Sequence, residues 1–373
     1  MTPRVTWRQA LSWRLERHLL GAEKGDDAAD VVRRLCAVQA QVPSSAELAI
    51  RIRCASSRVG SLAAALREGR LIRTWAMRGT LHLLSPEEGG IFLSLIAARK
   101  PWEGPGWVKW FGMTPEVVAA MVDAAREALD GRELTREELI GAITSRTKLR
   151  HLAGPLRESW GTALKPLAWQ GELCFGAGTG GRATFRHPAS SPRWRGLPPI
   201  EEAAPAAIEA YLGAYGPATI DNFHSWTQWT ASKRMLRSWW NAERDRMAEV
   251  ELDGERAFVM ADDLDSLLAA QPTDAVRLVP GFDQWVLGLG TNDPHVVPPA
   301  RRSAVSRQSG WISPAVLAGG VVSGTWQLEG DTVRVEWFLE AGSAPNAALD
   351  EEVARLSRIV GRSLVADVTA SGT

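Results

Sequence analysis

The stretch Val250-Glu-Leu-Asp-Gly-Glu-Arg-Ala-Phe-Val-Met260 decides the fold, because it predicts a β-hairpin with an unusually clear turn. Its dipeptide Asp253-Gly254 favours the tight turn whose twist matches that of two antiparallel strands. The strands are predicted over Val250–Leu252 and Arg256–Met260. The residues before the hairpin predict three helices, at Glu201–Tyr215, Thr219–Thr227 and Ser232–Trp240. Helices that end in a hairpin are typical of a winged helix, in which one helix contacts a DNA groove and the hairpin contacts the neighbouring backbone.

The same pattern occurs nearer the N-terminus. Apolar spacing predicts helices at Trp7–Leu20, Ala29–Ala40 and Ser45–Ala55, with a shorter helix near Leu62–Leu66. A hairpin follows, with strands over Leu71–Met77 and Thr80–Leu84 and Gly79 near the turn. This first helix-and-hairpin module covers residues 1–85.

A second helix-and-hairpin module covers residues 86–190. Helix starts are predicted at Ser85-Pro86-Glu87-Glu88, at Thr114-Pro115 for a helix through Leu129, and at the capping box Thr135-x-x-Glu138. A longer helix is predicted over Pro155–Trp169, and a hairpin pairs Glu172–Phe175 with Ala183–His187. The glycine-rich loop at 176–182 lacks the strand-then-helix context of a nucleotide-binding loop, so we interpret it as a hairpin tip.

The three helix-and-hairpin modules are therefore predicted as winged helices over residues 1–85, 86–190 and 200–262. A Pro- and Ser-rich linker is predicted at Pro188–Pro199. A second interpretation stays open, in which these three modules are only α+β packing modules and not winged helices. From Val276 the pattern changes to strands separated by turn signals. Strands are predicted at Arg277–Val279, Trp285–Leu289, Ala315–Leu317, Val321–Trp326 and Val333–Phe338, followed by a helix at Asp350–Val360. Residues 276–373 are predicted to form a β-barrel-like region or a curled sheet, and the fold class is α+β.

Composition places this 373-residue chain among ordinary soluble proteins of two to three domains. It has no apolar run near the ~18 residues that span a membrane, and its charged N-terminus does not resemble a secretory signal, so we expect a cytoplasmic protein. The formal net charge is zero, but residues 1–100 carry 16 Lys and Arg against 9 Asp and Glu. The N-terminal part is thus the basic part, which is the charge that DNA phosphates attract.

Cysteine and histidine spacing predicts neither a disulfide framework nor a metal site. The three cysteines form no spaced pair, and the six histidines are scattered. We therefore expect no metal and no cofactor.

The segment Leu35-Cys-Ala-Val-Gln-Ala-Gln-Val-Pro43 contains the candidate catalytic residues Gln39 and Gln41. On a helix, the side chains of residues two positions apart diverge by about 200° around the axis, so these two glutamines could not aim at one target there. Pro43 biases Val42 away from helical geometry, so the chain is predicted to leave the helix near Gln41 and to let both carboxamides converge. A carboxamide can hold water through both a donor and an acceptor but is not a strong base. The alternative is a solvated helix end.

Six further residues are candidates for contacts with DNA. Arg73 and Arg78 lie on or beside the first hairpin, and His82 lies on its second strand. Each has an alternative: a solvated surface position for the arginines and a structural position for the histidine. Arg301, Arg302 and Arg307 lie in a segment that is either a solvated loop or a second phosphate-contacting arm.

Four motifs together resemble the AlkZ-like bacterial DNA glycosylases over nearly the whole chain. They are Gln39-Ala-Gln41, Arg73-Thr-Trp-x-Met-Arg-Gly-Thr-x-His82, Pro280-Gly-Phe-Asp283 and Val316-Leu-x-x-Gly-Val-Val-x-Gly-Thr-Trp326. The resemblance implies three tandem winged helices and a β-barrel around a C-shaped DNA-binding channel. It also implies removal of alkylated purines, with Gln39 and Gln41 matching the Gln-apolar-Gln motif of the self-resistance branch. Where many relatives carry Asp-Arg after the first barrel strand, this chain departs from the pattern and has Thr291-Asn-Asp-Pro294.

The resemblance thus implies a monofunctional glycosylase that hydrolyses bulky N7-alkylguanine adducts or cross-links of a genotoxic natural product. Its partner would be double-stranded DNA with alkylated guanine, bound by a monomer in the nucleoid. Small N3- or N7-methylpurines are the alternative substrates. A regulator or a lesion-binding protein without catalysis is the alternative class.

Overall fold

The helices and strands are known from a computed structural model, which describes residues 2–56, 58–158, 161–178, 181–228 and 231–372. In these residues the α-helices are α1 (Trp7–Arg17), α2 (Ala28–Arg34), α3 (Pro43–Arg51), α4 (Ser61–Arg67), α5 (Gly89–Arg99), α6 (Pro105–Phe111), α7 (Pro115–Leu129), α8 (Arg136–Thr144), α9 (Ala153–Glu158), α10 (Lys165–Trp169), α11 (Ile200–Tyr215), α12 (Ile220–Thr227), α13 (Lys233–Ala242), α14 (Leu264–Ala269), α15 (Gln284–Gly288), α16 (Arg302–Val305) and α17 (Asn346–Val360). The strands are β1 (Arg4–Val5), β2 (Val38–Gln39), β3 (Ile72–Trp75), β4 (Leu81–Leu84), β5 (Glu133–Thr135), β6 (Cys174–Phe175), β7 (Thr184–Arg186), β8 (Met247–Leu252), β9 (Glu255–Met260), β10 (Val276–Val279), β11 (Ala315–Ala318), β12 (Val321–Glu329), β13 (Thr332–Phe338) and β14 (Val365–Ser371).

The chain divides into two compact units. The first contains Met1–Ser61, Ile208–Trp226 and Trp240–Thr373, and the second contains Leu62–Ala207 and Thr227–Trp239. The first contains a three-stranded sheet of order β1-β8-β9 and a five-stranded sheet.

In the first unit, the predicted hairpin with the Asp-Gly turn is confirmed. β8 and β9 pair antiparallel up to Leu252 opposite Glu255. Both turn residues have positive φ, 48° at Asp253 and 91° at Gly254, as the predicted turn requires. The Asp253 carboxylate also accepts a hydrogen bond from the Trp7 amide at 2.8 Å, and β1 adds to β8 in parallel. This contact ties the start of α1 to the hairpin turn.

The C-terminal part of the first unit is a five-stranded sheet of order β10-β11-β12-β13-β14. A β-barrel-like region or a curled sheet was predicted here; among the described residues no pairing joins β10 to β14, so the sheet does not close into a barrel. Helix α17 covers this sheet, and its Glu352 carboxylate accepts from the Leu278 amide on β10 at 2.9 Å. The predicted strand Trp285–Leu289 is also wrong, because Asp283 caps helix α15 there by accepting from the Trp285 amide at 2.8 Å.

In the second unit, the first two predicted hairpins share one sheet of order β4-β3-β6-β7-β5. Trp75 pairs with Leu81 in the first hairpin and Phe175 with Phe185 in the second, as predicted. The two hairpins are joined where Arg73 pairs with Phe175, which the sequence did not predict. Aromatic rings lie at this junction. The ring centroids of Trp75 and Phe175 are 4.9 Å apart, and those of Phe175 and Phe185 are 5.0 Å apart. Residues 179–180 of the glycine-rich tip lie outside the described residues.

Helix starts in the second unit follow the predicted caps at two of three positions. The Thr114 hydroxyl accepts from the Val117 amide at α7, and the capping box of Thr135 and Glu138 is formed at α8. The predicted start at Ser85 is wrong, because its hydroxyl donates to the Glu87 carboxylate at 2.8 Å and α5 begins only at Gly89.

The predicted helix over Pro155–Trp169 is wrong as a single element, although residues 159–160 of it lie outside the described residues. Gly161 has a φ of 85°, and a Cβ there would lie 2.6 Å from the Trp75 ring. Pro166 starts the separate helix α10. A left-handed glycine and a helix-starting proline therefore divide the segment.

In the described part of the chain, no helix has both the length and the apolar composition needed to cross a membrane.

Candidate functional site

Gln39 and Gln41 lie on a short extended segment between α2 and α3. Gln39 is the last residue of β2 and is buried, and Gln41 is exposed at the bend that leads into α3. On an extended chain, side chains two residues apart project to the same side, whereas on a helix they would diverge. Strand β2 ends at Gln39 and Gln41 lies in the bend, so the convergence of the two carboxamides on one target stays a prediction.

The predicted helix through Ala40 ends six residues earlier, at Arg34. Cys36 follows in the left-handed region with a φ of 64°, a conformation that usually requires glycine or asparagine. The Tyr215 hydroxyl donates to the Leu35 carbonyl at 2.8 Å and holds this turn. The left-handed residue stops the helix and redirects the chain into β2.

Helix α3 starts at Pro43, two residues before the predicted Ser45, and Val42 is extended as predicted, at φ −113° and ψ 105°. The end of α3 is fixed by a buried ion pair. The Arg53 guanidinium donates to both carboxylate oxygens of Asp283, at 2.7 and 2.8 Å, and both side chains are fully buried. Arg53 also donates to the His18 and Ala49 carbonyls. The helix that follows Gln41 is therefore anchored to the Pro280-Gly-Phe-Asp283 motif.

A second contact fixes α3 from the C-terminal helix. The Arg355 guanidinium donates to the Ile52 carbonyl at 3.0 Å and pairs with Glu352, the residue that also accepts from Leu278. Arg51 donates to the Ile359 carbonyl. The sequence singled out none of these arginines, because their partners lie hundreds of residues away.

His18 lies beneath the same turn. Its ring packs edge-on against Tyr215 at 5.0 Å and against Trp285 at 5.1 Å. Burial holds the pKa of His18 well below its usual value, and the neighbouring Arg53 and Arg14 guanidinium groups lower it further. The imidazole is therefore neutral and serves as part of the packed base under residues 35–43.

The candidate DNA contacts of the first hairpin lie together in the second unit. Arg78 sits in the turn with a φ of 58° and donates toward His82 Nε2 at 3.4 Å. His82 Nδ1 donates to the Thr80 carbonyl at 3.0 Å, which leaves Nε2 as an acceptor. Burial is the main cause that lowers the pKa of His82 to about 3, and Arg78 adds to it. His82 is thus a neutral, buried residue that orients the Arg78 guanidinium.

Arg73 lies on β3, half-buried, with its guanidinium 4.9 Å from the Phe175 ring centre. Its Nε is buried and has no hydrogen-bond partner among the described residues. Burial lowers the pKa of this group. Arg73 is therefore held by an aromatic ring rather than by a carboxylate.

The three arginines of the 301–307 segment differ from one another. Arg301 is buried, and its guanidinium pairs with Glu340, donates to the Ser371 and Gly372 carbonyls and lies 4.4 Å from the Phe338 ring centre. Arg302 and Arg307 are exposed. Arg301 thus ties this segment to β13 and β14, whereas its two neighbours are open to a ligand.

In the described residues, no group of three or more His, Cys, Asp and Glu side chains is arranged to hold a metal ion. Cys36, Cys54 and Cys174, all within the described ranges, form no disulfide with one another.

Three comparisons with known proteins agree. The family described as DNA glycosylase AlkZ-like matches residues 32–359, which include Gln39 and Gln41. A Streptomyces sahachiroi protein named interstrand DNA cross-link repair glycosylase is 42% identical over 363 residues, covering 96% of this chain and 98% of that protein. The solved structure of Streptomyces sahachiroi DNA glycosylase AlkZ matches with a TM-score of 0.95 at 41% identity, over 98% of this chain and all of that one.

These matches decide between the two classes left open by the sequence, a DNA repair enzyme and a DNA-binding regulator, in favour of the enzyme. The resemblance drawn from the four motifs is confirmed. The chain belongs to the AlkZ-like family of DNA glycosylases.

Proposed function

We propose that this chain hydrolyses the N-glycosidic bond of bulky N7-alkylguanine adducts and cross-links in DNA, and so protects its host from a genotoxic natural product. The support is twofold: the family is one of DNA glycosylases, and the Streptomyces sahachiroi relative is named a cross-link repair enzyme. The Gln39-Ala-Gln41 motif matches the branch with this activity. Small N3- or N7-methylpurines are the second candidate substrates.

The reaction needs little acid or base. Alkylation at N7 gives the guanine a positive charge, so the purine leaves with the electrons of the bond between C1′ and N9 and becomes neutral. Water then forms a bond to the oxocarbenium-like C1′, and its proton passes to solvent. The remaining task is to hold that water in line, and positioning of this kind contributes several kcal/mol.

Gln39 and Gln41 are proposed to hold this water. Each carboxamide offers one acceptor and one donor group, so the pair can orient the water and stabilise developing charge. The observation that carries the proposal is the extended Val38–Gln39 backbone on a rigid base, formed by the Arg53 and Asp283 ion pair and the Tyr215 bond to Leu35. A rigid base is what a positioning site requires, because a displacement of about 1 Å costs about 100-fold in rate.

The rest of the chain is proposed to bind the DNA around the lesion. Residues 1–85, 86–190 and 200–262 act as winged helices, and residues 276–373 act as a fourth part. Arg73, Arg78, Arg302 and Arg307 contact phosphates, and His82 orients Arg78. Arg301 is left out of this set because its guanidinium is occupied within the fold. The protein acts as a monomer on double-stranded DNA in the cytoplasm, without a metal or a cofactor.

The experiment is single-turnover incubation with a duplex that bears one N7-alkylguanine, followed by alkaline cleavage to reveal abasic sites. Wild type is compared with Gln39→Ala and Gln41→Ala, and with Gln327→Ala as an exposed control. We expect a loss of at least about 100-fold in rate for either site variant, since each removes an orienting group, with DNA binding retained.

Three results would count against the proposal. Binding without abasic product across methyl and bulky adducts would indicate a lesion-binding protein. Faster release of methylpurines than of bulky adducts would favour the second candidate substrates. Strand cleavage by the pure protein before alkali would show an amine nucleophile and would exclude a monofunctional glycosylase.

A further inference from the structure

A cavity of about 350 Å³ opens beside the Arg78–Gly79 turn in the second unit. Its volume is in the range of small-ligand pockets, which are about 300–1,000 Å³. The residues that matter for its chemistry are Arg78, Gly79, Trp107, Thr162, Lys165 and Trp169. No step of the hydrolysis described above uses Trp107, Lys165 or Trp169.

The aromatic wall of the cavity consists of two tryptophans at right angles. The ring centroids of Trp107 and Trp169 are 5.8 Å apart, with an interplanar angle of 82°. Trp169 is more than nine-tenths buried, yet its indole Nε1 has no hydrogen-bond partner within the described residues. The Nε1 atom is itself buried, so Trp169 contributes its ring rather than a hydrogen bond to the wall of the cavity.

The cationic wall consists of Lys165. Its ammonium group is half-buried, and burial lowers its pKa below the usual value. None of the carboxylates in the described ranges forms an ion pair or hydrogen bond with it. A Cβ added at Gly79 would lie 3.5 Å from Lys165 Nζ, so the turn that carries Arg78 borders this ammonium group directly. A partly buried cation without an acidic partner is suited to an anionic ligand.

We propose that this cavity is a nucleotide-sized pocket that takes a planar aromatic group beside a DNA phosphate. Trp107 and Trp169 stack on or edge against the ring, and Lys165 pairs with the phosphate. Single-stranded nucleic acid is held in this way, by aromatic stacking combined with backbone charge pairing. The inference rests on the proposed function only in taking damaged DNA as the ligand.

Two sources could supply the ring, a nucleotide of the DNA itself or the aromatic body of a bulky adduct. The test measures affinity by fluorescence anisotropy for an undamaged duplex and for one with a bulky aromatic N7-guanine adduct. A 2′-fluorine at the lesion nucleotide slows loss of the base during the measurement. The variants are Trp107→Leu, Trp107→Phe and Lys165→Gln, with Trp194→Leu and Lys148→Gln as matched controls on other parts of the same unit.

We expect Trp107→Leu to weaken binding by about 10-fold, because base stacking on an aromatic side chain is lost, and Trp107→Phe to recover most of it. A loss on both duplexes would assign the ring to DNA, and a loss on the adduct duplex alone would assign it to the adduct. Lys165→Gln should make the slope of log affinity against log salt less steep by about 0.9, the value of one phosphate contact. Both controls should bind like wild type.

Wild-type affinity and an unchanged salt slope in Trp107→Leu and Lys165→Gln would overturn the pocket. Thermal melting of each variant checks that it is folded. Since affinity and not base release is measured, a failed pocket leaves the proposed glycosylase activity standing. Conversely, absence of base release by the wild type would leave the affinity result valid.

Discussion

Arg53 and Asp283 form a two-bond ion pair in which neither side chain reaches solvent. The pair joins the end of α3 to the cap of α15, because Asp283 also accepts from the Trp285 amide. The segment with Gln39 and Gln41 leads directly into α3. The pair therefore links the candidate catalytic residues to the motif Pro280-Gly-Phe-Asp283 across 230 residues of sequence.

Breaking this pair should destabilise the protein strongly. Asp283→Asn leaves the Arg53 guanidinium buried without a counter-charge, and such changes cost about 3–5 kcal/mol in the free energy of unfolding. The measurement is urea unfolding followed by far-UV circular dichroism. As a control, Arg4→Ala removes an ion pair with Glu251 whose side chains are largely exposed, and it should cost less than about 0.5 kcal/mol. Equal small losses for both variants would contradict a structural role for the buried pair.

The Tyr215 hydroxyl should affect catalysis as well as stability. Tyr215→Phe leaves the buried Leu35 carbonyl without its donor, which costs about 1–3 kcal/mol. Because that carbonyl belongs to the turn before Gln39, we expect the single-turnover rate to fall by about 10-fold or more. Tyr211→Phe is the matched control, since it removes a similar bond to the Gly288 carbonyl at 3.1 Å. It should destabilise the fold without slowing base release, and equal slowing in both variants would show a general loss of rigidity instead.

Local signals predicted many of the elements in this fold. The Asp253-Gly254 turn, the capping box at Thr135, the helix start at Thr114 and the extended residue before Pro43 all depend on neighbours in sequence. Backbone sterics and side-chain caps act over four residues or fewer, so they can be read without knowledge of the rest of the chain.

Elements that depend on distant contacts were predicted incorrectly. No glycine marks the end of α2, because Cys36 adopts the left-handed conformation itself and Tyr215 holds the turn. The segment after Asp283 is a helix although its apolar residues suit a strand, because Asp283 caps it while pairing with Arg53. The sheet of residues 276–371 stays open, and helix α17 covers it. For the candidate site, the sequence predicted the glutamine pair, which stays a prediction, but it could not show the buried contacts of Arg53, Asp283 and Tyr215 beside that segment.

Stability should fall in mild acid because of His82. Its pKa is about 3 in the folded protein, below the ordinary 6.5, so the unfolded chain takes up the proton first as pH falls. The stabilisation is complete above about pH 6.5 and is lost progressively toward pH 3. Between pH 7 and 5 this group alone should remove about 2 kcal/mol. The His82→Gln variant should therefore show a smaller loss over that interval in urea unfolding.

His151→Gln is the control for this measurement, since His151 is exposed. This variant measures the effect of replacing a histidine at an exposed position outside the first hairpin. His18 is also buried and neutral, so some acid sensitivity remains in His82→Gln. An identical pH dependence in wild type and His82→Gln would mean that the imidazole gains its proton in the folded state at its ordinary pKa.

The arginines of residues 301–307 should separate into two classes when binding to duplex DNA is measured against salt. Arg302→Ala and Arg307→Ala should each make the slope of log affinity against log salt less steep by about 0.9, because each removes one proposed phosphate contact. Neither should shift the midpoint of urea unfolding, since both side chains are exposed. Arg301→Ala should change stability and not DNA binding, because the Arg301 guanidinium already bonds Glu340 and the carbonyls of Ser371 and Gly372. It should lower the unfolding midpoint and leave the salt slope as in the wild type. A changed slope in Arg301→Ala, measured on protein that melts like the wild type, would return this residue to the DNA interface.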